Sequence, residues 1–239
     1  RSMKREKENQ PRDRILEPEE QKELLEACAL TNNPYLKPMV QFSIETAVRR
    51  SELLGIKYRN INFTNICNTY CGFCNFMAAE GDERAYFLTM DEIKDKVREA
   101  RDNGATEVCM QGGMHPDIDG NFYLEIIKSV KDAVPDMHTH CFSPFEVHYG
   151  AETLNIPIGD FVSQLKDIGH GTFPGTAAEI LSEDVRQIIA PGKITTDQWV
   201  HTIKEIHKAG MNTTSTIMYG HVDKPFHWAK HFNILMLYP

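Results

Sequence analysis

Residues 66–74 read Ile-Cys-Asn-Thr-Tyr-Cys-Gly-Phe-Cys, so Cys67, Cys71 and Cys74 follow one another in the spacing C-x-x-x-C-x-x-C. A β-rich run at residues 59–65 precedes them, and the cysteines therefore occupy the loop that leaves a predicted strand. Three thiolates on one short loop can hold three irons of a 4Fe–4S cluster and leave the fourth iron open to an outside ligand. The alternative interpretations are a zinc knuckle that lacks its fourth ligand and three unrelated buried thiols.

From residue 59 onward, short β-rich runs alternate with helical stretches. The predicted strands are residues 59–65, 106–110, 137–142, 171–173 and 212–219. The predicted helices are residues 91–103, 123–134, 158–168, 183–189 and 196–209, followed by one that starts near Pro225. Repeated strand–helix units of this length imply a parallel sheet with right-handed crossovers. With about five units where a closed barrel has eight, the predicted fold class is α/β, a partial TIM-type (β/α) barrel truncated at the C-terminus.

Residues before about Lys57 do not continue this alternation. The run Glu-Pro-Glu-Glu at residues 17–20 opens a helix, because Pro18 suits the first helical position and acidic residues favour the first turn. Two further helices are predicted at residues 36–46 and 50–54. The sequence thus predicts two domains, a small helical segment at residues 1–57 and an incomplete barrel at residues 58–239.

Composition favours a cytoplasmic metalloenzyme. The remaining cysteines, Cys28, Cys109 and Cys141, are scattered along the chain, which is the usage of a reducing compartment and not of a disulfide framework. No apolar run approaches the roughly 20 residues of a membrane span, and the first residues lack the apolar core of a signal peptide. The net charge of −8 disfavours general nucleic-acid binding. We therefore expect neither a membrane nor a nucleic acid as partner.

The cysteine loop resembles that of the radical S-adenosylmethionine (SAM) superfamily, and five further runs are similar to its FO synthase subunit 2 family. In chain order these runs are Asn-Ile-Asn-Phe-Thr-Asn-Ile-Cys (60–67), Glu-Val-Cys-Met-Gln-Gly-Gly (107–113), His-Thr-His-Cys-Phe-Ser-Pro (138–144), Pro-Gly-Thr-Ala-Ala-Glu-Ile-Leu (174–181) and Met-Tyr-Gly-His-Val (218–222). The related dehypoxanthine futalosine cyclases of menaquinone biosynthesis are expected to carry Gly-Gly-Gly at residues 175–177 and Phe-Gly-His at residues 219–221. This chain has Gly-Thr-Ala and Tyr-Gly-His there, which favours the FO synthase family.

The resemblance implies a transferase with two small-molecule substrates. Enzymes of the FO synthase subunit 2 family transfer a 4-hydroxybenzyl group from tyrosine to 5-amino-6-(D-ribitylamino)uracil in the biosynthesis of the deazaflavin coenzyme F-420. The implied cofactors are a 4Fe–4S cluster and SAM. An electron donor and the companion FO synthase subunit are the implied protein partners.

The resemblance also assigns residues to the cofactors. Cys67, Cys71 and Cys74 are the implied cluster ligands, and the open iron takes the amine and carboxylate of SAM. Phe73 lies where the superfamily often has an aromatic residue near adenine, although simple packing is the alternative. The run Gln111, Gly112 and Gly113 ends the second predicted strand and matches the loop that contacts the SAM amine; a tight turn is the alternative interpretation of the glycines.

Four other residues follow the ends of predicted strands. Ser143 and Glu179 are candidates for contacts with the ribose and methionine parts of SAM, although a carboxylate there could equally cap the next helix. Tyr219 and His221 follow the fifth predicted strand and are candidates for substrate contacts. A histidine packed at the barrel rim is the alternative for His221.

Two histidines of the third predicted strand share one face. Alternation with a period of two places His138 and His140 together, with Thr139 and Cys141 on the opposite face. Two histidines can form part of a zinc site in principle, but the sequence offers no third ligand nearby.

The N-terminal residues resemble a different family. Residues 14–20, 33–36 and 46–56 are similar to the start of a tyrosine-recombinase (phage integrase) catalytic domain, and Arg49 aligns with the arginine that binds the scissile phosphate. The chain has no later His-x-x-Arg pair and no nucleophilic tyrosine in a recombinase context, so strand cleavage is not expected. A fusion of two fragments, a DNA recombinase fragment and an inactive truncated fragment are the alternatives to a working radical SAM transferase.

Overall fold

The computed structural model describes residues 18–29 and 58–237. The chain divides into two compact units, Arg1–Ile56 and Lys57–Pro239. In the first unit, helix α1 spans Pro18–Ala29 and carries Glu19 and Glu20 in its first turn, as the sequence predicts. The helices predicted at residues 36–46 and 50–54, and Arg49, lie outside the described residues.

The second unit alternates strands and helices. Its elements are β1 (Tyr58–Asn62), α2 (Met90–Asp102), β2 (Glu107–Gln111), α3 (Gly120–Ala133), β3 (His138–Cys141), α4 (Pro144–Thr153), α5 (Ile158–Asp167), β4 (Thr172–Phe173), α6 (Glu183–Ile189), α7 (Thr196–Lys208), β5 (Asn212–Thr213) and α8 (Pro225–Leu237). The strands form one five-stranded parallel sheet in the order β1-β2-β3-β4-β5. This confirms the predicted parallel α/β fold, an open portion of a TIM-type barrel. None of the described helices has the length and apolar character needed to cross a membrane.

Short polar motifs fix where two of the helices begin. Thr89 caps α2 and Ser143 caps α4, and each side chain accepts a hydrogen bond from the backbone N–H three residues later. The carboxylates of Glu92 and Glu146 in turn accept a hydrogen bond from the backbone N–H of the capping residue, which completes a capping box in both helices. The box of α4 places Ser143 directly after β3, at the edge of the sheet where barrel sites form.

The main core lies between the sheet and its helices. Val108 and Met110 on β2 and Cys141 on β3 are fully buried in one cluster with residues of α2 and α3 such as Ile93 and Ile127. The residues that alternate with them, among them Cys109 and His140, are only half-buried. Strands β2 and β3 therefore present an apolar face to the helices and a more polar face to the inside of the barrel.

Two elements differ from the sequence-based predictions. Helix α4 was not predicted, and β5 covers only Asn212–Thr213 where residues 212–219 were predicted as strand. Beyond β5, threonine side chains replace the backbone of a strand as the hydrogen-bonding partners of the segment that follows β4. The Gly175 N–H donates to Thr214 Oγ1 at 3.0 Å, and Thr216 Oγ1 donates to the Gly175 carbonyl at 2.8 Å. A Cβ at Gly175 would lie 1.8 Å from the Thr214 carbonyl oxygen, so only glycine permits this approach.

Candidate active site

A cavity of about 270 Å³ opens beyond the carboxyl ends of β1 to β4, where barrel enzymes place their sites. It collects residues that the sequence predicts to bind the cluster and the cofactor. These are Cys67, Cys71, Cys74, Phe73, Gln111, Gly112, Gly113, Ser143 and Glu179. Four separate strand ends contribute to this set, so the fold brings together residues that lie as far apart in the sequence as Cys67 and Glu179.

The cysteine loop is held by hydrogen bonds at its start and in its middle. Asn65 is buried, its side-chain amide donates to the Arg84 carbonyl at 2.8 Å, and its Oδ1 accepts from the Tyr86 N–H at 2.9 Å. Further along the loop, the Gly72 N–H donates to the Ile189 carbonyl at 2.8 Å. These bonds fix the backbone before the first thiol and between the second and the third.

The three thiols suit a cluster better than a single metal ion. Cys67, Cys71 and Cys74 are half-buried and line the same cavity. Within residues 18–29 and 58–237, no three His, Cys, Asp or Glu side chains converge closely enough to hold one ion. A 4Fe–4S cluster takes each thiolate on a different iron, so thiols spread around a cavity fit its donor set. Burial raises the pKa of Cys71, and Lys193 opposes this by lowering it.

The two glycines after β2 are required by close packing within the protein. A Cβ at Gly112 would lie 2.1 Å from the Phe63 ring, and one at Gly113 would lie 2.2 Å from the Ile66 carbonyl oxygen. The Gly113 N–H donates to the Thr64 carbonyl at 2.9 Å. Side chains here would push the β2 loop away from the cysteine loop, so the glycines set the distance between these two walls of the cavity.

Glu146 is a cavity residue that the sequence analysis missed. Its carboxylate is buried and accepts hydrogen bonds from the Gly112 N–H at 3.1 Å and from the N–H and hydroxyl of Ser143, both at 2.7 Å. Burial raises the pKa of Glu146 to about 7, although these hydrogen bonds oppose the shift. The signal was present, because Ser-x-x-Glu directly after a strand is a capping box. The Ser143 hydroxyl is thereby engaged in the cap and keeps one acceptor site free.

A charged pair forms the opposite wall. Lys193 Nζ contacts the Glu179 carboxylate, and it also lies 5.4 Å from the centre of the Phe73 ring. Glu179 has a positive φ of 46° and does not cap the next helix, whose N-cap position is Ser182. Lys193 was not predicted, because it lies between α6 and α7 and reaches the cavity only through the tertiary fold.

The predicted substrate residues do not line the cavity. Tyr219 is 67% exposed and packs edge-to-face on Trp228. The His221 ring contacts the Met218 carbonyl at 3.0 Å and accepts from its neighbour's N–H. Asp223 ties this loop together by accepting from the backbone N–H of Gly220 and His221 and from the Trp228 indole. A substrate role for Tyr219 and His221 stays a prediction.

The two histidines of β3 meet a hydroxyl. His138 Nε2 lies 3.0 Å and His140 Nδ1 lies 2.8 Å from Thr172 Oγ1 on β4. A threonine hydroxyl is a hydrogen-bonding partner and not a usual zinc ligand.

Comparisons with known proteins give the family. The Radical SAM superfamily matches residues 61–234. The chain is 47% identical over 201 residues to the 5-amino-6-(D-ribitylamino)uracil–L-tyrosine 4-hydroxyphenyl transferase of Methanocaldococcus jannaschii, a match that covers 81% of this chain and 56% of the relative. It is 43% identical over 214 residues to the FO synthase of Streptomyces avermitilis, covering 88% of this chain and 25% of that protein. The chain thus spans about half or less of the length of these relatives.

Solved structures share the fold. Methylornithine synthase aligns with a TM-score of 0.62 at 16% identity, over 91% of this chain and 60% of that one. The FeFe-hydrogenase maturase of Carboxydothermus hydrogenoformans aligns with a TM-score of 0.57 at 15% identity, over 92% and 52% of the two chains. With the family match over most of the second unit, the chain belongs to the radical SAM superfamily, whose members use a 4Fe–4S cluster and SAM.

Proposed function

We propose that this chain carries out the radical SAM step that transfers a 4-hydroxybenzyl group from tyrosine to 5-amino-6-(D-ribitylamino)uracil in coenzyme F-420 biosynthesis. The observation that carries the proposal is the meeting of all nine predicted cluster and cofactor residues, from four strand ends, at one cavity. The relative at 47% identity, whose name contains both substrates, supports the choice of substrates, and the relative at 43% identity is an FO synthase.

The cysteine loop would hold the cluster, and the remaining walls would hold SAM. When bound, the cluster and SAM together supply a one-electron cleavage that yields a carbon-centred radical. Cys67, Cys71 and Cys74 are the proposed iron ligands. Gln111, whose side-chain amide donates to Thr176 Oγ1 at 3.0 Å, is held at the floor of the cavity.

The other residues at the cavity are proposed to orient SAM and exclude water. Phe73 offers an aromatic surface beside adenine, and the backbone of Gly112 and Gly113 faces the cavity near the SAM amine. Glu179 is the proposed acceptor for the ribose or methionine part of SAM, with Lys193 balancing its charge. Ser143 contributes through its free acceptor site.

The proposal extends to location and partners. All six cysteines are free thiols, which supports a reducing, cytoplasmic location. An electron donor must supply the reducing electron, and the companion FO synthase subunit is the further proposed partner.

The test is release of 5′-deoxyadenosine after anaerobic reconstitution with iron and sulfide, followed by SAM and dithionite. We expect release from the unaltered chain and complete loss in Cys67→Ala, Cys71→Ala and Cys74→Ala, because each removes an iron ligand. Cys28→Ala is the matched control, since Cys28 lies in the first unit. Adding tyrosine and the diaminouracil should then give the coupled product.

Two results would contradict the proposal. One is release that survives the cysteine substitutions, which would place the chemistry elsewhere. The other is iron-loaded protein that releases no 5′-deoxyadenosine, which would leave a metal-binding fragment without this activity.

A further inference from the structure

The inside of the sheet carries an unusual row of polar side chains. Barrel interiors are commonly filled by branched apolar residues, which pack as a core. On β2, β3 and β4, strand alternation places polar or titratable residues on the face opposite the helices, and all six are half-buried. This polar inner face consists of Glu107, Cys109, Gln111, His138, His140 and Thr172.

Strand register arranges the polar inner face in layers below the cavity. Cys109 pairs with His140, which in turn pairs with Thr172, so these three residues form one layer. Gln111 lies two residues further along β2 and lines the cavity. Two residues along a strand advance about 6.6 Å. The layer therefore lies one step beneath the cofactor cavity, within the reach of a molecule that also touches the cavity.

The donors and acceptors of this layer are held in place. Thr172 Oγ1 bridges His138 Nε2 at 3.0 Å and His140 Nδ1 at 2.8 Å. Gly171 makes room for the His138 ring, because a Cβ there would lie 2.4 Å from its Cε1 atom. Neither His140 Nε2 nor Cys109 Sγ has a hydrogen bond to a described residue. These atoms are available to a ligand on a preorganised surface.

The charge of the polar inner face selects the kind of ligand. Within residues 58–237, none of the side chains that alternation places on this face is Lys or Arg, and Glu107 is the carboxylate among them. Burial lowers the pKa of His140, which favours its neutral ring. A carboxylate placed on this face would meet no Lys or Arg side chain, because Lys193 lies on the wall of the cavity above it, where it is paired with Glu179. A neutral molecule with many hydroxyl, N–H and carbonyl groups matches these side chains.

We infer that the polar inner face binds the uracil co-substrate, with His140 and Thr172 as hydrogen-bonding anchors for its neutral ring and ribityl hydroxyls. Tyrosine then takes a different place. The inference rests on the proposed function and deepens it, because it assigns one of the two substrates to named residues. It also separates two binding sites that the cavity alone does not distinguish.

The test measures equilibrium binding of 5-amino-6-(D-ribitylamino)uracil and of tyrosine, each alone, to the anaerobic, cluster-loaded chain. Thr172→Val and His140→Ala are expected to weaken binding of the diaminouracil about tenfold or more, as expected for a lost hydrogen bond, and to leave tyrosine binding within about twofold. Thr172→Ser keeps the hydroxyl and should restore binding. His201→Ala, an exposed histidine on α7, is the matched control and should change neither ligand.

The outcomes separate this inference from the proposed function. Unaltered chain that binds the diaminouracil through Thr172 but forms no coupled product would sink the proposed function and leave the inference standing. Loss of tyrosine binding in Thr172→Val, or equal loss of both ligands, would overturn the inference. Unchanged diaminouracil binding in both variants, with intact thermal unfolding, would overturn it as well.

Discussion

Strands β2 and β3 carry two faces that differ in composition and in exposure. Towards the helices, Val108, Met110 and Cys141 are fully buried and belong to the main core. Towards the inside of the barrel, Cys109 and His140 are half-buried and polar. The same few residues of strand thus serve stability on one side and leave the other side available for chemistry. Substitutions on the two faces should therefore have separable effects.

The largest expected difference in stability lies between neighbouring residues of β2. Met110→Ala should lower the free energy of unfolding by about 2–5 kcal/mol, because it opens a cavity in the main core. Cys109→Ala should change it by less than about 1 kcal/mol, since the side chain is half-buried. Urea unfolding of the cluster-free chain measures both values. Equal losses at the two positions would break the comparison.

A smaller, pH-dependent effect on the free energy of unfolding is expected at Glu146, which lies on α4 beyond the end of β3. Burial raises the pKa of Glu146 in the folded chain to about 7, above its ordinary value of 4.5. The folded chain therefore binds this proton more tightly than the unfolded chain. The protonated Glu146 makes its whole contribution to the free energy of unfolding below about pH 4.5, and this contribution is lost as pH rises through about 7. The loss should amount to about 2–4 kcal/mol.

Glu146→Gln tests this linkage because glutamine keeps a similar shape and does not titrate. Unfolding free energies of the cluster-free chain, measured from pH 5 to pH 8, should fall more steeply for the unaltered chain than for the variant. Parallel pH profiles would show that Glu146 does not carry the effect.

The smallest expected effect compares two glycines beside the same cysteines. Gly113→Ala should cost about 1–3 kcal/mol and reduce the iron bound on reconstitution, because its Cβ would meet the Ile66 carbonyl. Gly72→Ala meets only the Ile189 carbonyl at 3.6 Å, an ordinary contact, and should stay within about 1 kcal/mol of the unaltered chain. Iron per chain and urea unfolding report both. Normal iron binding in Gly113→Ala would mean that the cysteine loop adjusts freely.

Much of the fold could be predicted because its signals are local. Alternation of β-rich and helical runs predicted where each strand of the sheet begins to within about one residue. Helix α4 was not predicted because only Phe142 and Ser143 separate it from β3, although the capping box of Ser143 and Glu146 and the proline at its first position, Pro144, were local signals for it. The predicted length of the last strand was wrong because Thr214 and Thr216 bond to Gly175 through their hydroxyls, a tertiary contact that strand propensity does not reveal.

The residues of the candidate site likewise fall into those that local motifs predict and those that only the tertiary fold brings in. The cysteine spacing and the run Gln-Gly-Gly are contiguous motifs, and the fold brings both to one cavity. Lys193 reaches the cavity from a segment between two helices whose neighbours in the sequence do not indicate it, whereas Glu146 is marked in the sequence by its capping box with Ser143. Tyr219 was expected near the substrate because it follows a strand, yet the chain turns away there and the ring packs on Trp228.

The buried amide of Asn65 has a consequence for how the cofactor is installed. Its bonds to Arg84 and Tyr86 join backbone 19 and 21 residues apart and close the loop that carries the cysteines. The entropy lost in closing that loop is therefore a cost of folding the polypeptide and not of binding the cluster. In zinc fingers, by contrast, metal binding and folding are one event. Iron and sulfide would here bind to a cysteine loop that is already closed, so the chain can fold first and acquire the cluster afterwards.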